Sequence, residues 1–330
     1  MRKILITGGH GYIGSHVVLH MLAIGYEPKD LIVLDRDANK CNVVLPKGIA
    51  SYRVDLRNAD DVERIFVENK VGVVMHFASL IDVAASFEHP GEYFRNNVMG
   101  GINLLEAMVR YRCKKILFSS SCAVYGRPIS VPIKENDPCS PINPYGESKL
   151  FFERILEWYL KIHGVSSIRL RYFNAAGAAY GIGECHDPEA HLIPLVVKAA
   201  YGKGDAIYVY GTDYPTPDGT CIRDYVHVLD LADAHIRAVR ILIQKQSSFT
   251  DVFNIGTGNG ASVKRVIDLV KKETGKHVKV LVKKRREGDP SELLADYSKA
   301  RDVLGWKPVR SIDDIIRDAA KWHKKQYAED

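Results

Sequence analysis

The sequence predicts an α/β protein, a doubly wound parallel sheet followed by a smaller α/β unit. Three observations carry this. Short apolar runs alternate with helical stretches up to about residue 173. The first apolar run leads into a glycine-punctuated turn and then a helix. The polar, chemically active residues fall just past the ends of the apolar runs, where open parallel sheets bind their ligands.

The elements follow in order. Residues 3–7 (KILIT) read as a strand covered on both faces. TGGHGYIGSHVVLHMLAIG comes next, with a helix over 13–24. Gly8, Gly11 and Gly14 permit a tight turn and close backbone approach to a pyrophosphate at the helix N-terminus. Their spacing is Gly-x-x-Gly-x-x-Gly, not the commoner Gly-x-Gly-x-x-Gly. A second strand, 31–35, ends at Asp35, about 20 residues past the loop. A carboxylate there accepts hydrogen bonds from ribose hydroxyls and repels a 2′-phosphate. The unit therefore reads as a Rossmann-type site for NAD rather than NADP, although Arg36 next door could attract that phosphate. Further strands are expected at 50–54, 72–77, 115–120 and 166–171, and helices at 59–69, 91–111 and 145–163. Asp55, Phe77-Ala78-Ser79, Ser119-Ser120-Ser121 and Tyr172-Phe173-Asn174 then lie at strand ends. Past 175 the pattern loosens into glycine- and proline-rich loops with shorter elements.

The helix at 145–163 carries the chemistry. Pro144 suits its first turn, and Tyr145 and Lys149 share a face at spacing i, i+4. A phenol with pKa about 10 is a poor base at neutral pH. A nearby ammonium favours the phenolate and lowers that pKa. The pair can thus exchange protons near pH 7. Alone, it reads equally well as an interfacial tyrosine and a solvated lysine. A serine at the end of LFSSS could relay a proton to Tyr145 or simply bond its own backbone. Chemistry alone does not choose among the three.

Composition narrows the function. With 330 residues the chain can bury a large core. Its 46% hydrophobic and 26% charged content suit a soluble globular protein. The net charge of +6 is dispersed except in KHVKVLVKKRR at 276–286, which lacks the aromatic or recognition elements of a nucleic-acid surface. It reads as an edge strand leading into Arg285 and Arg286, which suit an acidic, phosphate-bearing substrate. The six cysteines form no Cys-x-x-Cys and read as reduced thiols. A strand-like start with no long apolar span points to the cytoplasm and away from membranes. The histidines, His186 among them, lack ligand spacing such as His-x-x-x-His, so no metal is expected.

These pieces, with HFAS, NNVMGGINLLEAM, LFSSSCAVYG, PYGESK, RYFNAAGA, HDPEAHLIPLV, YGTDYPTPDGTCIRDYVHVLDLADAH, FNIGTG and RREGDP, resemble the extended short-chain dehydrogenase/reductases from end to end. The stretch at 211–235 is similar to the UDP-hexose 4-epimerases in particular. The resemblance implies residues 1–174 as the NAD-binding part, with a return near 224–256, and most of 175–330 as the UDP-sugar part. It selects Ser121, makes Tyr145 the acid/base, and has Lys149 hold the nicotinamide ribose and depress the tyrosine pKa. Cofactor contacts are implied at Gly8, Gly11, Tyr12, Ile13, Gly14, Asp35, Arg36, Asp55, Leu56, Phe77, Ala78, Ser79, Asn96, Ser119, Tyr172 and Phe173, besides Tyr145 and Lys149. Ser121, Tyr145, Asn174, His191, Leu192, Arg223, Arg286 and Leu293 are implied around the sugar nucleotide. Arg223 reads otherwise as an ion pair with Asp224. Ile81 stands where some members have lysine, and Leu293 where members vary between large and small side chains.

The implied reaction interconverts UDP-galactose and UDP-glucose through a 4-keto sugar that turns over about its pyrophosphate, with NAD tightly held. Dehydratases and decarboxylases of the same build carry acids just after the serine. Here Cys122 and Ala123 stand there, and neither takes a proton from C5. The alternatives are 4-epimerisation of another UDP-sugar (N-acetylhexosamine, pentose or uronic acid), a dehydratase, or a silent NAD-binding protein. The resemblance also implies a homodimer through the helices at 91–111 and 145–163.

Overall fold

A computed structural model describes residues 2–37, 43–204, 206–286 and 289–328. The first part alternates β1 (Lys3–Thr7), α1 (Tyr12–Ala23), β2 (Leu31–Asp35), β3 (Ala50–Arg53), α2 (Ala59–Glu68) and β4 (Val71–His76). It continues through α3 (Val83–Glu88), α4 (Pro90–Tyr93), α5 (Gly100–Arg110), β5 (Lys115–Ser121), α6 (Pro144–His163) and β6 (Ser166–Tyr172). Next come β7 (Asn174–Ala176), β8 (Ala178–Ala179), β9 (Ile182–Gly183), α7 (Leu192–Ala200), β10 (Ile207–Tyr210) and β11 (Ile222–His227). The chain ends with α8 (Val228–Gln244), β12 (Thr250–Ile255), β13 (Gly260–Ser262), α9 (Val263–Thr274), β14 (Val280–Lys283), β15 (Glu292–Leu293), α10 (Ser298–Leu304) and α11 (Ile312–Ala328).

Seven strands form one parallel sheet in the order β12-β6-β5-β4-β1-β2-β3. The order reverses between β1 and β4, which opens a crevice beyond their carboxyl ends. The apolar strands are explained by burial on both faces. Ile4, Ile6, Val33, Met75 and Leu117 pack with Val17, Val18 and Met21 of α1 and with Ile236 and Val239 of α8. Leu5, Ile32, Leu34, Val74 and Ile116 pack with Ile65 of α2, Leu104 and Met108 of α5, and Phe152 and Leu156 of α6. Successive residues of each strand thus serve opposite layers. A second core joins α7, α9 and α11 to β10 and β11.

The expected helix over 91–111 runs on through Arg110, with a change of pitch inside it. A π-helical segment, Phe94–Met99, joins α4 to α5. The wide turn carries Asn97, which is buried, accepts from the Leu80 N–H (2.8 Å) and donates to the Leu80 carbonyl (3.1 Å) and Ser148 Oγ (2.9 Å). The backbone ladder there runs i→i+5, as in Gly100 N–H to the Arg95 carbonyl. Of the stretch 224–256, β12 joins the large sheet beside β6, whereas β11 pairs with β7, β13 and β15 outside it. At the seam between the two cores Asp224 of β11 is fully buried. It accepts from the Thr257 N–H (2.8 Å), Thr257 Oγ1 (2.6 Å), the Gly258 N–H (2.9 Å) and the Ala295 N–H (3.1 Å).

Candidate active site

All the residues implied around the cofactor and the sugar nucleotide line one cavity of about 1880 Å³ over the crevice, while Arg285 does not. Its nucleotide end is built from β1 and α1. Gly8 has φ +73°, and a Cβ there would sit 2.6 Å from the Ala78 N–H nitrogen. A Cβ on Gly14 would sit 2.2 Å from the Gly8 carbonyl oxygen. Only glycine permits this closeness. Among the described residues no side chain caps α1, and its first turn holds no acid. Its amides therefore stay available to an anion. Asp35 closes β2 at the same end, accepting from the His10 N–H (3.1 Å) and the Asp37 N–H (3.2 Å). Arg36 is turned aside, donating to Asn96 Oδ1 (3.2 Å) and pairing with Asp37 (3.4 Å). A glycine cradle with open helix amides beside a strand-end carboxylate fits a dinucleotide.

Several neighbours are already engaged. The Tyr12 hydroxyl donates to the Gly177 carbonyl (2.7 Å). Arg57 grips Asp55 through Nε (3.0 Å) and Nη2 (2.6 Å) and holds its carboxyl below the usual range. Ile13, Leu56, Phe77, Ala78 and Ser79 complete this wall.

The catalytic end is set by α6. Asn143 caps it, accepting from the Gly146 N–H (2.7 Å), and Pro144 opens its first turn. Gly164 ends it in the left-handed region at φ 67°. Tyr145, Lys149 and Glu153 are all buried along one face. Ser121 does two things at once. Its Oγ accepts from the Ala123 N–H (3.2 Å), the strand-end role, and it stands near enough to the Tyr145 hydroxyl to favour the phenolate. Lys149 donates to the Ser119 carbonyl (2.9 Å), and its Nζ lies 5.7 Å from the centre of the Tyr145 ring. Ser119 in turn bonds the Tyr172 hydroxyl.

The electrostatics correct one expectation. The charge of Lys149 does not outweigh burial at Tyr145. Burial, then the Tyr172 neighbour, push the phenol well up, and only Ser121 among its named partners pulls it back. Burial also lowers Lys149 to about 7, against the pull of Glu153. Desolvation disfavours both charged forms more than their mutual attraction favours them. Glu153 is committed elsewhere, to Arg171 (2.6 Å) and Ser120 (2.5 Å). Burial holds the Cys122 thiol up at about 12, so it stays protonated beside Ala123.

The sugar end is made of loops and edges. Asn174 is on β7, which pairs with β11. Arg223 does not pair with Asp224, because alternate strand residues face opposite ways. It reaches Asp289 (3.4 Å) and the carbonyls of Ile222 (2.9 Å) and Pro290 (3.0 Å). Arg286 lies over the Tyr210 ring at 3.9 Å. The 276–286 run supplies the exposed strand β14, paired with β10. Glu287 and Gly288 of RREGDP lie outside the described residues. Leu293, on β15, packs with Phe173 and Cys122. His191 and Leu192 start α7, and Ile81 lines the wall opposite.

Sequence reasoning missed four partners here. Tyr210 and Asp289 carry no spacing signal. Glu184 and Glu189 do, in Glu-x-His-x-x-Glu-x-His, but spacing was sought between histidines alone. Glu184 and Glu189 face His191 Nδ1 at 3.0 Å and 3.1 Å. Burial opposes the charge on His191, yet the two carboxylates outweigh it and raise the imidazole to about 9. Burial raises Glu184 to about 7.

Known proteins share this build. The family described as GDP-mannose 4,6 dehydratase matches residues 5–319. The chain belongs to that family of extended short-chain dehydrogenase/reductases. Within it, the relatives are named more narrowly. A UDP-glucose 4-epimerase of Lacticaseibacillus casei is 45% identical over 324 residues, covering 97% of this chain and 96% of the relative. A Brucella ovis UDP-glucose 4-epimerase solved with NAD superposes with TM-score 0.90 at 40% identity, covering 97% and 98% of the two chains. One from Bifidobacterium longum, solved with NAD⁺ and UDP, gives TM-score 0.90 at 38% identity over 98% and 99%.

Proposed function

We infer that the chain interconverts UDP-galactose and UDP-glucose by oxidation at sugar C4 and reduction on the opposite face. The observation that carries this is the meeting of Ser121, Tyr145 and Lys149 in one cavity with the glycine cradle, where Cys122 and Ala123 offer no second base. The full-length kinship with UDP-glucose 4-epimerases supports the same reading.

NAD, held by Gly8, Gly11, Gly14 and Asp35, supplies the oxidant and reductant at C4 and a positive charge in the same cavity. Tyr145 takes the proton of the 4-hydroxyl, directly or through Ser121, and later returns it. Lys149 is the cation nearest the phenol and offsets part of the cost of a buried phenolate. Arg223 and Arg286 offer the charge that a UDP pyrophosphate requires. Leu293 bounds the space beside the sugar, and His191 walls it from α7. Residues 1–174 with the return at 224–256 are assigned to NAD, and most of 175–330 to the UDP-sugar.

The protein is further proposed to be a cytoplasmic homodimer. Phe151, Trp158 and Ile162 form an exposed apolar stripe on α6, and Met99 is half-exposed beside it. Sedimentation at micromolar protein should give a dimer, and Trp158→Glu should shift it toward monomer.

The function is tested by supplying a panel of UDP-sugars and resolving products by NMR. UDP-galactose and UDP-glucose should each give the same mixture, and acid denaturation should release NAD rather than NADP. Solvent deuterium entering C5, or loss of the 6-hydroxyl, would replace this reading with a dehydratase or 5-epimerase.

A further inference from the structure

Four side chains between β9 and α7 converge on one point, and of them only His191 has a place beside the sugar nucleotide. His191 Nδ1 lies 3.0 Å from Glu184 Oε1 and 3.1 Å from Glu189 Oε1. His186 Nδ1 lies 3.5 Å from Glu184 Oε1 and 3.7 Å from Glu189 Oε2. One ligand atom from each of the four falls within 4.8 Å of all the others. We propose that Glu184, His186, Glu189 and His191 form a binding site for a divalent transition metal of the zinc class.

Geometry and donor chemistry carry this. Donors about 2.0–2.1 Å from one tetrahedral metal stand about 3.3–3.4 Å apart, and the nitrogen–oxygen separations fall on either side of that value, His191 facing Oε1 of Glu189 and His186 facing its Oε2. Two imidazoles with two carboxylates suit Zn²⁺ and its neighbours better than Mg²⁺ or Ca²⁺, which take oxygen ligands. The donors are also oriented from behind. Glu189 accepts backbone N–H bonds from His186 (3.2 Å), Ala190 (2.9 Å) and His191 (2.9 Å), as ligand carboxylates commonly do. His186 Nδ1 is shielded from solvent and makes no hydrogen bond within the protein. The Nδ1 atoms of both imidazoles face both carboxylates, so two nitrogens and two carboxylates meet in one cluster.

The four residues line the cavity that holds Tyr145. A metal there engages His191 and draws the 184–191 wall together, so it competes with the sugar nucleotide. The test uses tag-free holoenzyme stripped with EDTA and titrated with ZnCl₂ against a chromogenic chelator. One Zn²⁺ per chain is expected, with a loss of affinity of about tenfold or more in His186→Ala and in Glu189→Gln. NAD retention reports that each variant is folded. Anomalous scattering at the zinc edge should place the ion among the four side chains. Zn²⁺ should also raise the apparent KM for UDP-galactose at constant kcat, and much less so in His186→Ala. No stoichiometric binding, binding untouched by both substitutions, or an anomalous peak elsewhere overturns the site. A fall in kcat at constant KM overturns the competition. The titration needs no turnover, so it decides the site even if the epimerase reading fails.

Discussion

The two ends of the cavity are built on different principles. At the nucleotide end the backbone makes the site. Gly8 and Gly14 are there because any Cβ would meet another main chain, and the α1 amides face outward. At the sugar end side chains make the site, and they are drawn from five separate segments around residues 174, 191, 210, 223 and 286–293. Arg223–Asp289, Arg286–Tyr210 and His191 with its two glutamates are pairings, each replaceable by another that fits. The lesson is that the first end tolerates almost no substitution and the second should tune continuously. Between them sits α6, whose buried Tyr145 and Lys149 belong to neither class.

That contrast can be broken, and the largest effect belongs to the middle. Tyr145→Phe keeps the ring and removes the hydroxyl proposed as acid/base. Turnover should fall about 10²–10⁴-fold while NAD is retained. Survival of activity would mean that another group moves the proton. Gly14→Ala comes next. Its Cβ would overlap the Gly8 carbonyl, and overpacking costs about 1–3 kcal/mol. The variant should lose NAD on gel filtration, whereas an unaffected variant would show that the turn yields freely.

Lys149→Met separates function from stability. Lys149 titrates at about 7 in the fold and at about 10.4 unfolded. Below about 7 both states carry the charge, and its full burial penalty weighs on the folded one. Between about 7 and about 10.4 the unfolded state holds more protons, so stability rises with pH until the penalty is gone. The Met variant should therefore unfold several degrees higher than the parent near pH 6, and that advantage should shrink toward pH 10. An advantage independent of pH would show that packing, not charge, accounts for it.

The smallest effect is expected at the sugar end. Leu293→Ala should raise activity on N-acetylated relative to plain UDP-hexose by a modest ratio, since a methylene in a pocket is worth about 1–3 kcal/mol. An unchanged ratio would place the substituent elsewhere.

The same contrast explains what the sequence disclosed. Constraints on main chain spell themselves in residue type, so the β1 loop, Asp35 and the strand boundaries could be read directly. The Tyr145–Lys149 pair was legible because helical periodicity fixes a face. The change of pitch at Phe94–Met99 was not, because Asn97 obtains its partners from Leu80 and Ser148, far along the chain. Nor was the sense of the Tyr145 shift, since burial on all sides is a property of the assembled core. Glu184 and Glu189 acquired meaning only when a loop brought them to the same nitrogen.

Asp224 has a consequence for how ligands enter. Its carboxylate gathers bonds from Thr257, Gly258 and Ala295, joining three stretches of chain at the junction of the two cores. Each such bond is worth about 1 kcal/mol net, or more to a charged acceptor, and parting them leaves the anion stranded, at a further cost of about 1–3 kcal/mol or more. Clamshell motion about this junction is therefore expensive. Admission of a sugar nucleotide therefore calls for no opening of this floor.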